Sequence, residues 1–429
     1  MALKRELGLL ELTFYGIGII LGAGIYALVG EAAGLAGNGI WLAFGLAALV
    51  SAFTGLSYAE LSSYYSKSSA EYDYVEQAFK KKMVSFIIAW LIIVSGFVSA
   101  AAVATGFANY FNSLFVSYPP LLIALVLVFL LSIFNLAGIK TSARLNILFT
   151  LIEIFGLLII IFLSIPFMIN SHVNYFDFSK GFQGVLSASA LIFFAYIGFE
   201  AIAKLGEESK NPVKDLPKAL VISIIITTIL YVVLGAAIIN VLSPEELSMT
   251  KAPMAAVAER ATGSADMGLV LAVIALFSTL NTVLIMLIAN SRIMYGMAEE
   301  KVLPAIFSKE HYITKAPWFA ILFTMILTMI FVLPGDITFI ANTSNFATFL
   351  VFAAVNASLI WLRLKKKNYN PSFKIPLNIG RFPVIAFLGL LSNLAMLSIL
   401  INDYYVLLTS IILIIIGIVL FFFLEKRSK

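Results

Sequence analysis

Long apolar runs separated by short polar links set the pattern of this chain. A helix needs about 20 mostly apolar residues to cross a bilayer. The runs at 12–33, 40–62, 84–107, 120–138, 146–168, 182–203, 219–241, 268–291, 317–334, 338–362, 382–400 and 404–424 fit that rule. They predict twelve spanning helices in an all-α polytopic membrane protein. The run at 120–138 opens on a Pro-Pro pair, which suits a helix entry. In "SPEEL", 243–247, Ser243 stands three residues before Glu246 with Pro244 between them. That is a capping box, and it predicts a short helix in the link between runs seven and eight.

Two runs carry residues that weaken a helix. The first holds "GIGIILGAGIY", 16–26, with glycine at 16, 18, 22 and 24. Glycine costs about 1 kcal/mol relative to alanine in a helix interior, and an unpaired backbone group in lipid costs several. Either the glycines admit a close neighbour, with Gly18 and Gly22 as a G-x-x-x-G pair, or the helix opens and its freed backbone groups bind something. The sixth run holds "FFAYIGFEA", 193–201, with Gly198 and Glu200 in an apolar setting. Read alone, it is also satisfied by a packing glycine beside an inward-facing carboxylate.

Runs one and six occupy the same place in two successive blocks of five. Paired interrupted helices in matching halves point to a transporter site built on inverted repeats. Where a helix breaks near the midplane, one half presents free N–H groups and the other presents free C=O groups. A zwitterion with one carboxylate and one ammonium fits that pair without any charged side chain.

Composition narrows the class. The 429 residues are 61% hydrophobic and 12% charged, with mean hydropathy +1.02; a soluble domain carries about 25% charged residues. Cysteine is absent, which excludes disulfides and thiol metal sites. The two histidines, His172 and His311, fall in predicted links, so a histidine metal or catalytic centre within the membrane is not expected. No nucleophile–base pair, metal-ligand cluster or phosphate loop is present, which argues against an enzyme, a cofactor or ATP drive. A channel would want a ring of like charges or a filter loop; neither is seen, and an intramembrane sensor or channel stands only as the different class.

Charge sorting gives orientation. Only Lys180, Lys251 and Arg260, of 28 Lys and Arg residues, fall in odd-numbered links. The rest lie at the termini or in even-numbered links, including lysine triplets at 80–82 and 365–367. This places both termini in the cytoplasm. The net charge of +5 follows from that sorting and implies no nucleic-acid partner. The start, "MALKREL", carries two cations ahead of a long apolar stretch without a small-residue cleavage site. It reads as a first spanning helix, not a removed leader.

Charges inside the runs are functional candidates by default. Glu153 is the only charge in "TLIEIFGLLI", and a carboxyl withdrawn from water can exchange a proton near neutral pH. A neutral Glu153 hydrogen-bonded to a neighbouring helix is the alternative. Glu200 precedes Lys204 in the favourable i, i+4 order, as an inner gate or as a structural pair. Glu60, in "SYAEL", is expected to be solvated at the end of run two. Tyr26 and Tyr196 stand close enough to the two weak points to line a cavity.

Taken in order, "GIGIILGAGIY", "FFAYIGFEA" leading into "GEESKNPVKDLPKAL" at 206–220, and "SRIMYGMAEEKVLP" at 291–304 followed by "KAPWFA" resemble the amino acid–polyamine–organocation transporters. The likeness covers roughly residues 8–365. In the second stretch Glu208, Asn211, Pro212, Pro217 and Ala219 match the family's link between helices six and seven. The resemblance implies a leucine-transporter-like core over 1–365, with helices 1–5 over about 12–168 inverted against helices 6–10 over about 182–362. Two peripheral helices follow in 366–429.

It also implies amino acid transport by alternating access. The substrate carboxylate would meet the N–H groups of Gly22, Ala23 and Gly24, and the ammonium the carbonyls of Ile20, Phe194 and Ile197. Phe194 stands where some relatives place an aromatic gate. Many relatives carry lysine at the helix 5 position held here by Glu153, where the ammonium stands in for sodium. Glutamate reverses that charge, so the lysine's role does not transfer. Ser278 and Thr279 stand where sodium-coupled relatives of the wider fold place ligands, unless their hydroxyls bond only to their own helix. No acid from spans 3, 8 or 10 faces a side-chain pocket, which favours neutral amino acids. The expected activity is proton-coupled symport, with sodium as the second candidate ion and ion-independent exchange as the alternative.

Overall fold

Helix follows helix with short links. The computed structural model describes residues 7–65, 70–115, 118–137, 143–366 and 368–428; Lys367 of the second lysine triplet lies outside them. The first block comprises α1 (Leu9–Leu21), α2 (Ala23–Ala36), α3 (Ile40–Ser62), α4 (Ala70–Phe79), α5 (Lys82–Leu114), α6 (Pro120–Leu136) and α7 (Ala143–Ile169). The second comprises α8 (Gly181–Ile192), α9 (Glu200–Lys204), α10 (Pro212–Ile238), α11 (Pro244–Met249), α12 (Pro253–Thr262), α13 (Ala265–Glu299), α14 (Trp318–Val332) and α15 (Ile337–Lys365). A two-residue β-hairpin, Asn378–Ile379 with Phe382–Pro383, precedes α16 (Val384–Leu400) and α17 (Tyr404–Ser428).

Among the described residues, eight helical runs are long and apolar enough to cross a membrane. One joins α2 to α3 and another spans α8 to α9; four shorter apolar helices, α1, α6, α14 and α16, accompany them. The chain is therefore a multi-pass membrane protein. Helices α5 and α13 reach 33 and 35 residues, beyond their apolar runs, because polar residues at the ends continue the helix.

Local chemistry fixes the ends. Asp336 caps α15 by accepting from the N–H groups of Thr338 and Phe339, and Arg363 and Lys365 occupy its last turn, where cations favour the dipole. The expected box opens α11: Glu246 N–H donates to Ser243 Oγ, and Ser243 N–H to Glu246 Oε2 at 2.8 Å. The Ser243 N–H bond, then Arg260, holds the Glu246 carboxyl below the usual carboxylate range.

Inside the bundle, small residues and cross-helix hydrogen bonds replace the hydrophobic drive that lipid cannot supply. A Cβ on Gly55 of α3 would lie 2.4 Å from Ile224 of α10. Ser95 and Ser99 of α5 bond to Ser344 and Thr348 of α15 at 2.6–3.1 Å. Thr54 of α3 accepts from the side-chain amides of Asn356 on α15 and Asn393 on α16. Such groups left unpaired in lipid would each cost several kcal/mol.

The end of the bundle where α15 finishes and α4 lies carries an ionic layer. Leu7 pairs with the link before α10, through Leu7 N–H to Glu208 O and Lys210 N–H to Leu7 O. Glu60 is fully buried, which corrects the expectation of a solvated group. Its carboxylate holds the Arg363 guanidinium through two bonds and accepts from the Ile375 N–H. The cause is a partner at the far end of α15 and a link folded beneath α3, neither visible from the "SYAEL" neighbourhood.

Candidate binding site at two broken helices

Both weak points are real breaks. Helix α1 stops at Leu21, Gly22 adopts φ −47°, ψ −165°, and α2 restarts at Ala23. Helix α8 passes into a 3-10 turn over Phe193–Tyr196, Ile197 is extended, and Gly198 takes φ 123° before α9. The two breaks lie against each other. A Cβ on Gly24 would meet Ala195 Cα at 2.8 Å, and one on Gly198 would meet Ile19 Cγ2 at 1.9 Å. Packing and interruption therefore coexist: Gly18 abuts Thr150 of α7, and Gly22 abuts Thr282 of α13.

The orphan backbone groups are only partly claimed. Tyr231 of α10 was not singled out in the sequence, yet its hydroxyl lies 2.5 Å from Ile20 O and 3.2 Å from Ala195 O, so one phenol spans both breaks. Its ring lies edge-on to Tyr196. Asn345 of α15, equally unflagged, donates to Ala190 O at 2.7 Å and Leu191 O at 3.0 Å. These carbonyls belong to the last turn of α8, where the chain leaves the helix and the regular donors run out. Phe194 O receives the Ile197 N–H. Phe194 is buried and Ile197 half-buried. The start of α2, at the first break, has no side-chain cap.

Tyr26 and Tyr196 are both wholly buried and pinned. Tyr26 Oη donates to Glu153 O and Tyr196 Oη to Phe44 O. Surface crevices of about 360 Å³ beside His172 and Asn240, and about 370 Å³ beside Asn112 and Lys251, lie away from the breaks.

Glu153 is 1% exposed. Its Oε1 accepts from Ser278 Oγ at 3.1 Å, and its Oε2 is buried with no hydrogen-bond partner among the described residues. Thr279 turns away, donating to Ala275 O of its own helix. One turn beyond Ser278, Thr282 donates to Ser278 O and faces Gly22. A line from Glu153 through Ser278 and Thr282 thus reaches the first break.

The expected Glu200–Lys204 pair does not form. Glu200 Oε2 accepts the Gly198 N–H at 2.8 Å, and Lys204 Nζ reaches Glu71 of α4 at 3.1 Å. A helix of five residues is mostly ends, and the orphan amide at the break claims the carboxylate first. Tyr58 Oη completes the second pair by donating to Glu71 Oε1, and its ring packs on Phe199 and Phe352.

The chain is 32% identical to the branched-chain amino acid permease BcaP of Bacillus subtilis (strain 168), over 100% of this chain and 95% of that protein. It is 27% identical to the methylthioribose transporter of the same organism, over 87% and 85% of the two chains. It is 28% identical to human cationic amino acid transporter 4, over 86% of this chain and 61% of that one. The amino acid permease family pattern matches residues 7–424, and the chain belongs to that family.

Proposed function

We propose that this protein is a secondary transporter that moves neutral amino acids across the cytoplasmic membrane by alternating access. The observation that carries the reading is the pair of apposed breaks, at Gly22 and at Ile197–Gly198, bridged by the Tyr231 hydroxyl. The free N–H groups of Gly22, Ala23 and Gly24 receive the substrate carboxylate. The carbonyls of Ile20, Phe194 and Ile197 receive its ammonium, with Phe194 as the lid and Tyr26 and Tyr196 as the walls.

The reading takes the twelve apolar runs as spans, places both termini in the cytoplasm, and divides the chain into a repeat core over 1–365 and peripheral helices after it. In it, the layer formed by Glu71, Lys204 and Tyr58 closes the inner side. The branched-chain permease, which aligns along the whole chain, and the apolar surroundings of the breaks favour branched aliphatic substrates over cationic ones.

Glu153 is the proposed proton carrier. Its free Oε2 supplies a protonation site, and Ser278 and Thr282 connect it to the first break. A proton entering down about 100 mV releases about 2.3 kcal/mol, enough to concentrate a neutral solute about fiftyfold. Ion-independent exchange is the second reading, favoured by the bond Glu153 already makes to Ser278. Uptake by proteoliposomes, measured for a panel of amino acids with imposed pH and sodium gradients, separates them. Symport requires accumulation driven by the proton gradient and abolished in Glu153→Gln with exchange retained. Accumulation unchanged in Glu153→Gln removes that residue from coupling.

A further inference from the structure

Lys80, Lys81 and Lys82 of the first lysine triplet and Lys365 of the second, nearly 300 positions apart in sequence, meet at one corner of the bundle. Lys80 follows Phe79, whose ring lies 5.8 Å from Trp361. The Lys365 ammonium sits over that same Trp361 ring at 5.6 Å. Lys80, Lys81, Lys82 and Lys365 are all exposed. Other cations at this end are matched, the half-buried Lys204 by Glu71 and the buried Arg363 by Glu60. These four have no carboxylate within salt-bridge distance among the described residues.

Sorting of charge across the membrane requires cations on this side but not their gathering at one point, where they repel one another. Lys80 also sits at φ 55° at the end of α4, a place where glycine or asparagine is usual and a longer side chain costs about 1 kcal/mol. Beside the lysines the surface is apolar: Trp361, Leu364 and Met83 are each more than a third exposed. Helix α17 flanks the corner, with Phe421 packed on Phe86 one turn into α5.

We propose that this corner binds the phosphate headgroup of an anionic phospholipid of the inner leaflet. The four ammonium groups surround the phosphate, Trp361 sits at the headgroup level where its amphipathic ring is favoured, and the acyl chains run along the exposed side chains of α5 and α15. Lysine clusters immediately beside a spanning helix attract anionic lipid by about 1 kcal/mol each. The proposal uses the orientation argued above but not the transport activity.

The test is tryptophan quenching in proteoliposomes made with brominated phosphatidylglycerol or brominated phosphatidylcholine at equal mole fraction. The share due to Trp361, one of four tryptophans, is obtained by difference from Trp361→Phe. The expected result is stronger quenching of that share by phosphatidylglycerol. The preference should fall about fivefold in Lys365→Gln and vanish when Lys80, Lys81, Lys82 and Lys365 are all glutamine. Equal quenching by the two lipids, or a preference that survives the fourfold change, overturns the proposal. Loss of the preference on adding millimolar inorganic phosphate, with sodium chloride of equal ionic strength as control, would assign the corner to a soluble anion instead. Lys365→Gln keeps the test open should the fourfold variant not fold.

Discussion

The two breaks solve the same problem differently. At the second, the chain turns through Gly198 at φ 123°, and the amide released there is taken at once by the carboxylate of Glu200. At the first, Gly22 sits at φ −47°, a value any residue can adopt, and no side chain caps the helix that follows. One break carries its own side-chain acceptor and the other has no side-chain cap. In lipid an uncapped amino end is costly, and in the proposed function it is this first break that receives the substrate carboxylate. The second offers carbonyls, braced by Asn345 and Tyr231.

The contrast is broken most severely at Gly198. Gly198→Ala must adopt an unfavourable left-handed backbone and displace Ile19, for about 2–5 kcal/mol. Thermal melting in detergent should drop and uptake should be lost, and Ile19→Ala should not restore them because the backbone cost remains. Gly22→Ala should cost less, about 1–3 kcal/mol, because only space is at issue: its Cβ would stand 2.6 Å from Thr282 Oγ1. Adding Thr282→Ala should recover most of the melting temperature. Rescue at Gly198 with no rescue at Gly22 would invert the comparison.

Tyr231→Phe removes a donor shared by carbonyls at both breaks, and Asn345→Asp removes one from carbonyls at the second. The loss should be about 1–3 kcal/mol for each, with weaker substrate binding, read as a rise in KM at nearly constant maximal uptake. Unchanged melting and KM would remove both side chains from the account. The smallest effect belongs to Glu246, which serves α11 in water as Glu200 serves α9 in the membrane. Its carboxyl is held below the ordinary range, so its contribution is present above that range and fades as pH falls through the depressed value. Ser243→Ala, which removes the hydroxyl but keeps the Ser243 N–H, should weaken this dependence only in part, visible as a small change in the acid limb of a melting-versus-pH curve.

Much of this could be read from the chain before any coordinates. The first break was marked by four glycines in an uncharged stretch and the second by a glycine beside a charge, in runs that otherwise need neither, and the α11 box by the spacing of Ser243 and Glu246. What could not be read depended on partners distant in sequence. Glu60 looked solvated because Arg363 and Ile375 approach it from more than 300 residues away. Glu200 and Lys204 looked paired because i, i+4 spacing presumes a helix long enough to hold both side chains on one face. Tyr231 was one of 17 tyrosines, with nothing local to separate it from those of the membrane interface. Asn345 sits in a polar stretch, "NTSN", whose members differ only in what the neighbouring helices present to them.

The central claim is that bare backbone at the first break holds the substrate carboxylate while carbonyls at both breaks hold its ammonium. Competition against labelled leucine uptake in proteoliposomes tests it most directly, with leucine, leucinamide and 4-methylpentanoate as competitors. The account expects leucine to compete and both analogues to lose about a hundredfold or more, since each leaves charge-matched backbone groups without a charged partner. Leucinamide competing as well as leucine would contradict it.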